Sequence, residues 1–345
     1  DVAIPFRCPT FAPVKTTPLI AAGTALMGVM LSIVSCQKEI TVDLPTSPPR
    51  IVVEGSIEQD LPPIILLTWS QGYFEPTDLQ SIENLFVRDA DVRLSNGLDT
   101  IPLDLFCTAE LGETELALAA ELLGTSPEAL QAFNICLYTT FDQSMWGEVG
   151  RTYTLLVDYE DHHLKSSTRI NELVALDSIW FQIPNEDPDD SLGLIFATLT
   201  DPDTTGNAYR WFARRINRYP DWVPDEELRG QVKDAGFIAP LGSVFDDNFF
   251  NGLSFEFSAF RGSLPNSVKF DDSNDEDGYF KRGDTVVVRG CVIDRGVFRF
   301  IQSLESQVSN QGSPFALPYN LQSNVSGGLG VFAGYGASYD TVVCE

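Results

Sequence analysis

From Asp89 to Ser95 the chain alternates strictly. Ala90, Val92 and Leu94 lie on one side, and Asp89, Asp91, Arg93 and Ser95 on the other. A period of two is the mark of a strand with one buried face. Asn96-Gly97 follows at once, and both residues tolerate the positive φ that a tight hairpin needs. The same grammar recurs along the chain. Residues 50–57 form a β-rich run, Ile64–Trp69 a continuous apolar one, and Gly150–Val157 another. A turn at Glu160–His163 returns the chain into Lys165–Ile170. Further strands are expected at Leu194–Leu199, Tyr209–Arg214, Leu253–Ala259, Thr285–Val288 and Thr341–Cys344. A mostly β fold follows.

Two stretches break the pattern. Residues 113–132 are rich in Glu, Ala and Leu, with Gly124 between two helical runs, Ser126 as N-cap and Pro127 in the first helical position. Residues 297–308 take helical spacing, with Val297, Phe300, Ile301, Leu304 and Val308 on one face. A Pro/Asp-rich stretch at 184–190 is the best candidate boundary. The expected architecture is two β-sandwich-like units, immunoglobulin-like or transthyretin-like. The first spans 50–183 and carries a helical insert at about 108–135; the second spans 184–345 and carries one late helix.

The 345 residues hold 49 Asp and Glu against 22 Lys and Arg, a net charge of −27. Nucleic-acid binding relies on Lys and Arg displacing phosphate counterions, so that class is excluded. A polybasic grip on anionic lipid fails for the same reason. The histidines are two, His162 and His163, in a predicted turn where neighbouring side chains diverge. That removes most histidine catalysis and most zinc chemistry. No GxSxG, HExxH or P-loop pattern occurs, and no cofactor or metal is expected. A glycosidase carboxylate pair could be drawn from 49 acids, but that abundance makes any chosen pair uninformative.

Residues 16–35 carry no charge and end in Ile33-Val34-Ser35-Cys36, which resembles a lipobox. The expectation is a lipoprotein signal peptide at 1–35, lipid on Cys36 and a proline-stiffened tether at 36–49. The rival reading is a transmembrane anchor with an incidental cysteine. Export into an oxidising compartment leaves Cys107, Cys136, Cys291 and Cys344 to pair. Three pairings are open. The local one, Cys107–Cys136 with Cys291–Cys344, keeps each bridge in its own half and pins the ends of the insert.

These pieces resemble the exported lipoproteins of domain-of-unknown-function family 4249, a Bacteroidetes-type group. The resemblance rests on Cys36, Ile51-Val52-Val53-Glu54-Gly55, Gly150-Arg151-Thr152-Tyr153-Thr154-Leu155 and Val244–Gly252. It rests most on Ser313-Pro314-Phe315 followed by Ser323–Phe332. It implies an outer-membrane lipoprotein, often encoded beside TonB-dependent transporters, and brings no catalytic residues. It also implies O-glycosylation at Asp-(Ser/Thr) triplets. Among them, Ser191 and Thr204 beside the Pro/Asp-rich stretch are the expected acceptors, whereas Thr285 and Thr341 open strands.

Other features have plainer explanations. Ser273, Asp275, Asp277, Gly278 and Asp284 partly imitate a calcium loop, but the first ligand is Ser and the last is not Glu. A solvated acidic loop accounts for them. Trp69, Tyr73 and Phe74, and Tyr219, Trp222 and Val223, could grip a sugar or a partner, or equally cap a core. The leading expectation is a non-enzymatic binding or accessory lipoprotein, anchored in the outer membrane at its cell-surface or periplasmic face and working with a TonB-dependent transporter. A surface hydrolase of glycans or peptides and a structural envelope protein are the alternatives.

Overall fold

The computed structural model describes residues 48–72, 83–123, 125, 127–132, 134–183, 191–223, 226, 228–262, 278–310 and 320–345. Cys36, the signal and tether segments through residue 47, Tyr73, Phe74, Ser126, the acidic run 271–277 and Ser313–Phe315 lie outside them.

In chain order the strands are β1 (Ile51–Glu58), β2 (Ile64–Trp69), β3 (Asp91–Ser95), β4 (Thr100–Pro102), β5 (Asp104–Cys107), β6 (Cys136–Thr139), β7 (Thr152–Tyr159), β8 (His162–Arg169) and β9 (Ser178–Gln182). They continue as β10 (Leu192–Thr200), β11 (Ala208–Arg215), β12 (Val244–Asp246), β13 (Ser254–Ala259), β14 (Phe280–Lys281), β15 (Thr285–Ile293), β16 (Val325–Ser326) and β17 (Leu329–Val343). The helices are α1 (Glu113–Leu123), α2 (Pro127–Ala132) and α3 (Arg295–Ser309). The fold is mostly β and sandwich-like. The strands expected from alternation all form, and Gly97 takes the positive φ of 87° that the β3–β4 hairpin needs.

One eight-stranded sheet, ordered β12-β11-β15-β17-β1-β2-β6-β5, organises the molecule. Its neighbours are antiparallel except β1 and β17, which run parallel from Val52↔Leu329 to Glu58↔Tyr335. A five-stranded sheet, β16-β8-β7-β3-β4, and a second small sheet built on β10 complete the set. Period two explains the layers. Ile51, Val53, Ile57, Ile65 and Leu67 from the large sheet meet Val92, Leu94, Tyr153, Leu155 and Val157 from the five-stranded one in a first core. Further along the large sheet, Trp211, Ala213, Val286 and Val288 meet Ile195 and Ala197 of β10 in a second.

The stretch 184–190 expected as a boundary lies outside the described residues, and the described residues on either side of it belong to one compact unit, Pro49–Glu345. The reason is β17. It follows the late helix, yet it inserts between β15 and β1 and joins both halves into one sheet. The glycine-rich tail thus forms a 15-residue strand, where only its last residues were expected to. Glycine is what the packing demands there. A Cβ on Gly330 would sit 1.9 Å from the Val53 carbonyl oxygen, and its φ is +96°. A Cβ on Gly334 would meet the Arg169 carbonyl oxygen at 2.7 Å.

Helix α3 forms over the expected span and buries the expected face in its first turns but not in its last. Asp294 caps it, accepting from the Val297 N–H at 2.9 Å, and also accepts from the Thr168 hydroxyl of β8 at 2.6 Å. That tie sets the first turns on the large sheet, so Val297, Phe298 and Ile301 are buried. Phe300 packs beside them, whereas Leu304 and Val308, also expected on the buried face, are exposed, and Ser303 is buried in their place.

Candidate functional site

Cys107 ends β5 and Cys136 begins β6, and the two are direct partners in the ladder. Their Cα atoms lie 4.1 Å apart and the sulfurs are bonded. The expected bridge therefore closes the insert at its base. Inside the insert, Leu116 and Ala120 of α1 pack on Leu130 of α2 in a small core of their own. The start of α1 is closed by Glu115, whose carboxylate accepts from the Gly112 N–H at 2.9 Å. Thr108 locks the far end: its hydroxyl donates to the Leu130 carbonyl and accepts from the Ile135 N–H, both at 3.0 Å.

The insert lies beside β2, β5 and β6, and an apolar cavity of about 190 Å³ is lined by residues of all of them. Period two sends Phe106, Leu137 and Thr139 to the face that lines it. Ile64 joins them from β2, and Leu111 and Leu118 come from the insert. Phe141 completes the wall and meets Phe106 edge to face, with centroids 5.4 Å apart. Leu118 and Phe141 are 58% and 62% exposed, so they stand at the mouth. Thr139 is buried, yet its Oγ1 has no hydrogen-bond partner among the described residues.

A charged cluster is built on β1, β11, β15 and β17 of the large sheet. Glu58 of β1 accepts from both the Arg289 guanidinium of β15 and the Tyr339 hydroxyl of β17. Arg289 lies over the rings of Phe212 and Tyr335, and Arg210 donates to the Tyr335 hydroxyl at 2.7 Å. These contacts tie four strands, β1, β11, β15 and β17, together, while the Nε atoms of Arg210 and Arg289 have no hydrogen-bond partner among the described residues. Burial raises the Tyr339 hydroxyl above its ordinary range, and the Glu58 carboxylate adds to that.

The expected companion bridge does not form: Cys291 and Cys344 are free and buried. Cys291 sits opposite Ala337, whereas Cys344 follows Val343, the partner of Thr285. Seven positions along the strand therefore separate them, about 23 Å, while a disulfide needs Cα atoms within about 7 Å. Burial pushes the Cys291 thiol up to about 11 and the Cys344 thiol up to about 12.

The remaining candidates scatter. His162 packs its ring on Trp69, at 5.4 Å between centroids, while His163 turns outward to Asp158 at 2.6 Å. That contact holds the Asp158 carboxyl below its usual range. Tyr219 and Val223 are buried, but Trp222 is 78% exposed. Asp284 is buried against Lys233 at 2.7 Å, which makes it a structural acid. Ser191 is half-buried and Thr204 exposed. The cavity itself was not anticipated. The available signal was Thr139, a polar residue on the same strand face as Leu137.

Comparison with curated proteins finds no match. The family model described as a domain of unknown function (DUF4249) covers residues 37–340, and the chain belongs to that family.

Proposed function

We propose that the chain is an exported, lipid-anchored binding protein of the outer membrane. In this reading it is non-enzymatic and serves as an accessory to a TonB-dependent transporter in nutrient uptake. The binding part is carried by one observation: an apolar cavity roofed by an insert whose ends are held by Cys107–Cys136. A cross-linked roof keeps such a space preformed, which lowers the entropy cost of taking a ligand. The bridge also supports export, since disulfides persist in oxidising compartments. The lipobox-like Ile33-Val34-Ser35-Cys36 supports the anchor.

Two measurements test the reading. Replacing Cys36 with Ser releases the protein from the membrane fraction if Cys36 carries the lipid; retention of an unprocessed chain makes the segment a transmembrane anchor instead. Purification of the wild-type chain in mild detergent brings down a stoichiometric barrel protein if the transporter association is real. A chain that purifies alone removes that partner from the proposal.

A further inference from the structure

Two buried side chains with unpaired polar atoms line cavities in this molecule. Trp211, whose indole N–H has no partner among the described residues, lines a space of about 10 Å³, roughly the room that one water requires. Thr139 lines the larger space, about 190 Å³, with a hydroxyl that has no partner among the described residues. An unpaired buried hydroxyl is costly unless something arrives to bond it. The neighbouring threonines do not share the problem: the Thr108 hydroxyl bonds Leu130 and Ile135, and the Thr140 hydroxyl accepts from the Asp142 N–H at 3.2 Å.

We infer that the cavity takes a small uncharged aromatic molecule, a single ring bearing one hydroxyl or carbonyl group that hydrogen-bonds Thr139. This deepens the binding reading above and rests on it. Size comes first: about 190 Å³ is somewhat more than the roughly 150 Å³ of an apolar cavity that holds benzene. It accommodates one ring with small substituents. The shape of the wall comes second. Phe106 and Phe141, set edge to face, present ring faces and edges that a third ring can join. Charge comes third. Residues 108–135 carry five Glu and no Lys or Arg, and Glu115 itself lines the space. A carboxylate ligand would be repelled, and a cation would lose its hydration against apolar walls.

The test is ligand titration of the full oxidised chain, followed by NMR, with p-cresol, toluene and 4-methylbenzoate as probes. The expected result is that p-cresol binds, at least as tightly as toluene, and 4-methylbenzoate more weakly than both. Thr139→Val keeps the shape and removes the hydroxyl. It should shift the p-cresol-to-toluene affinity ratio about tenfold toward toluene, the worth of one hydrogen bond. Ala119→Leu fills the space and should abolish p-cresol binding. If toluene and p-cresol bind with the same ratio in wild type and Thr139→Val, the hydroxyl inference fails while the binding reading stands. If p-cresol binds Ala119→Leu unchanged, the site lies elsewhere and the inference fails. If no probe binds the wild-type chain, the inference and the cavity reading fall together.

Discussion

Cys291 shows how much a single position depends on its register. It faces inward from β15, enclosed with Ala337 and Tyr335 beneath α3. Burial disfavours the thiolate and raises the thiol from about 9 to about 11. The folded state therefore holds this proton at pH values where the unfolded chain has released it. The stabilising contribution is complete below about pH 9 and is lost as pH rises from there through 11. Cys344 behaves in the same sense, with its upper limit about 12. In that window the slope is roughly 1.4 kcal/mol per pH unit for each thiol. Urea unfolding of wild type and Cys291→Ala between pH 8 and 11 should show a shallower alkaline loss in the variant. Parallel curves would mean that the thiol ionises with equal ease in the folded and unfolded chain. An even cysteine count announced partners, but ladder position decides pairing, and position depends on how a distant strand inserts. Thr139 is similar: its identity was readable, but its lack of a partner emerges only when the helices of the insert fold back over the strand that carries it.

At the scale of elements, local pattern spoke most clearly. Strict alternation located β3, Asn96-Gly97 its turn, and a run of Glu, Ala and Leu located α1 and α2. Cys107–Cys136 followed because both residues flank the same local excursion, so neither depends on distant chain. What failed was the element whose character is set by neighbours. The glycines of β17 read as loop chemistry, yet they mark places where other backbones approach too closely for any side chain. The face of α3 held for Val297, Phe300 and Ile301 but not for Leu304 and Val308, where Ser303 is buried instead. The bridge gives the insert a testable independence. It spans a sequence separation of 29, for which chain-entropy reasoning assigns roughly 3–4 kcal/mol. Cys107→Ser with Cys136→Ser should lower global stability by up to that amount. Proteolysis should then begin within 108–135 while the β1–β17 ladder stays protected from hydrogen exchange. Uniform loss of protection across the large sheet would show that the insert is not a separately yielding part.

For the whole molecule, the governing feature is the parallel contact of β1 with β17. A parallel pair cannot be closed by a hairpin; here nearly the entire chain lies between the two strands. Phe332 of β17 enters the first core beside Ile51, Val53 and Val92. Asn324, just before β16, accepts from the Phe332 N–H at 2.9 Å and donates to its carbonyl at 2.8 Å. Ser166 of β8 donates to the Asn324 carbonyl at 2.9 Å. The N-terminal core is thus completed by residues from the last part of the chain. The Pro/Asp-rich composition at 184–190 could not reveal this, because composition reports local flexibility and not which strands pair across it. Residues 49–183 produced alone lose Phe332, Val325 and the whole β17 edge, leaving the backbone of β1 open and its buried face half covered. An open strand edge beside exposed Ile and Val also invites association. The expected outcome is a fragment without a cooperative thermal transition, with 184–345 supplied in trans restoring one. A fragment 49–183 that unfolds cooperatively by itself, with the dispersed NMR spectrum of a packed core, would show that the first half is a domain after all and that β17 merely docks upon it.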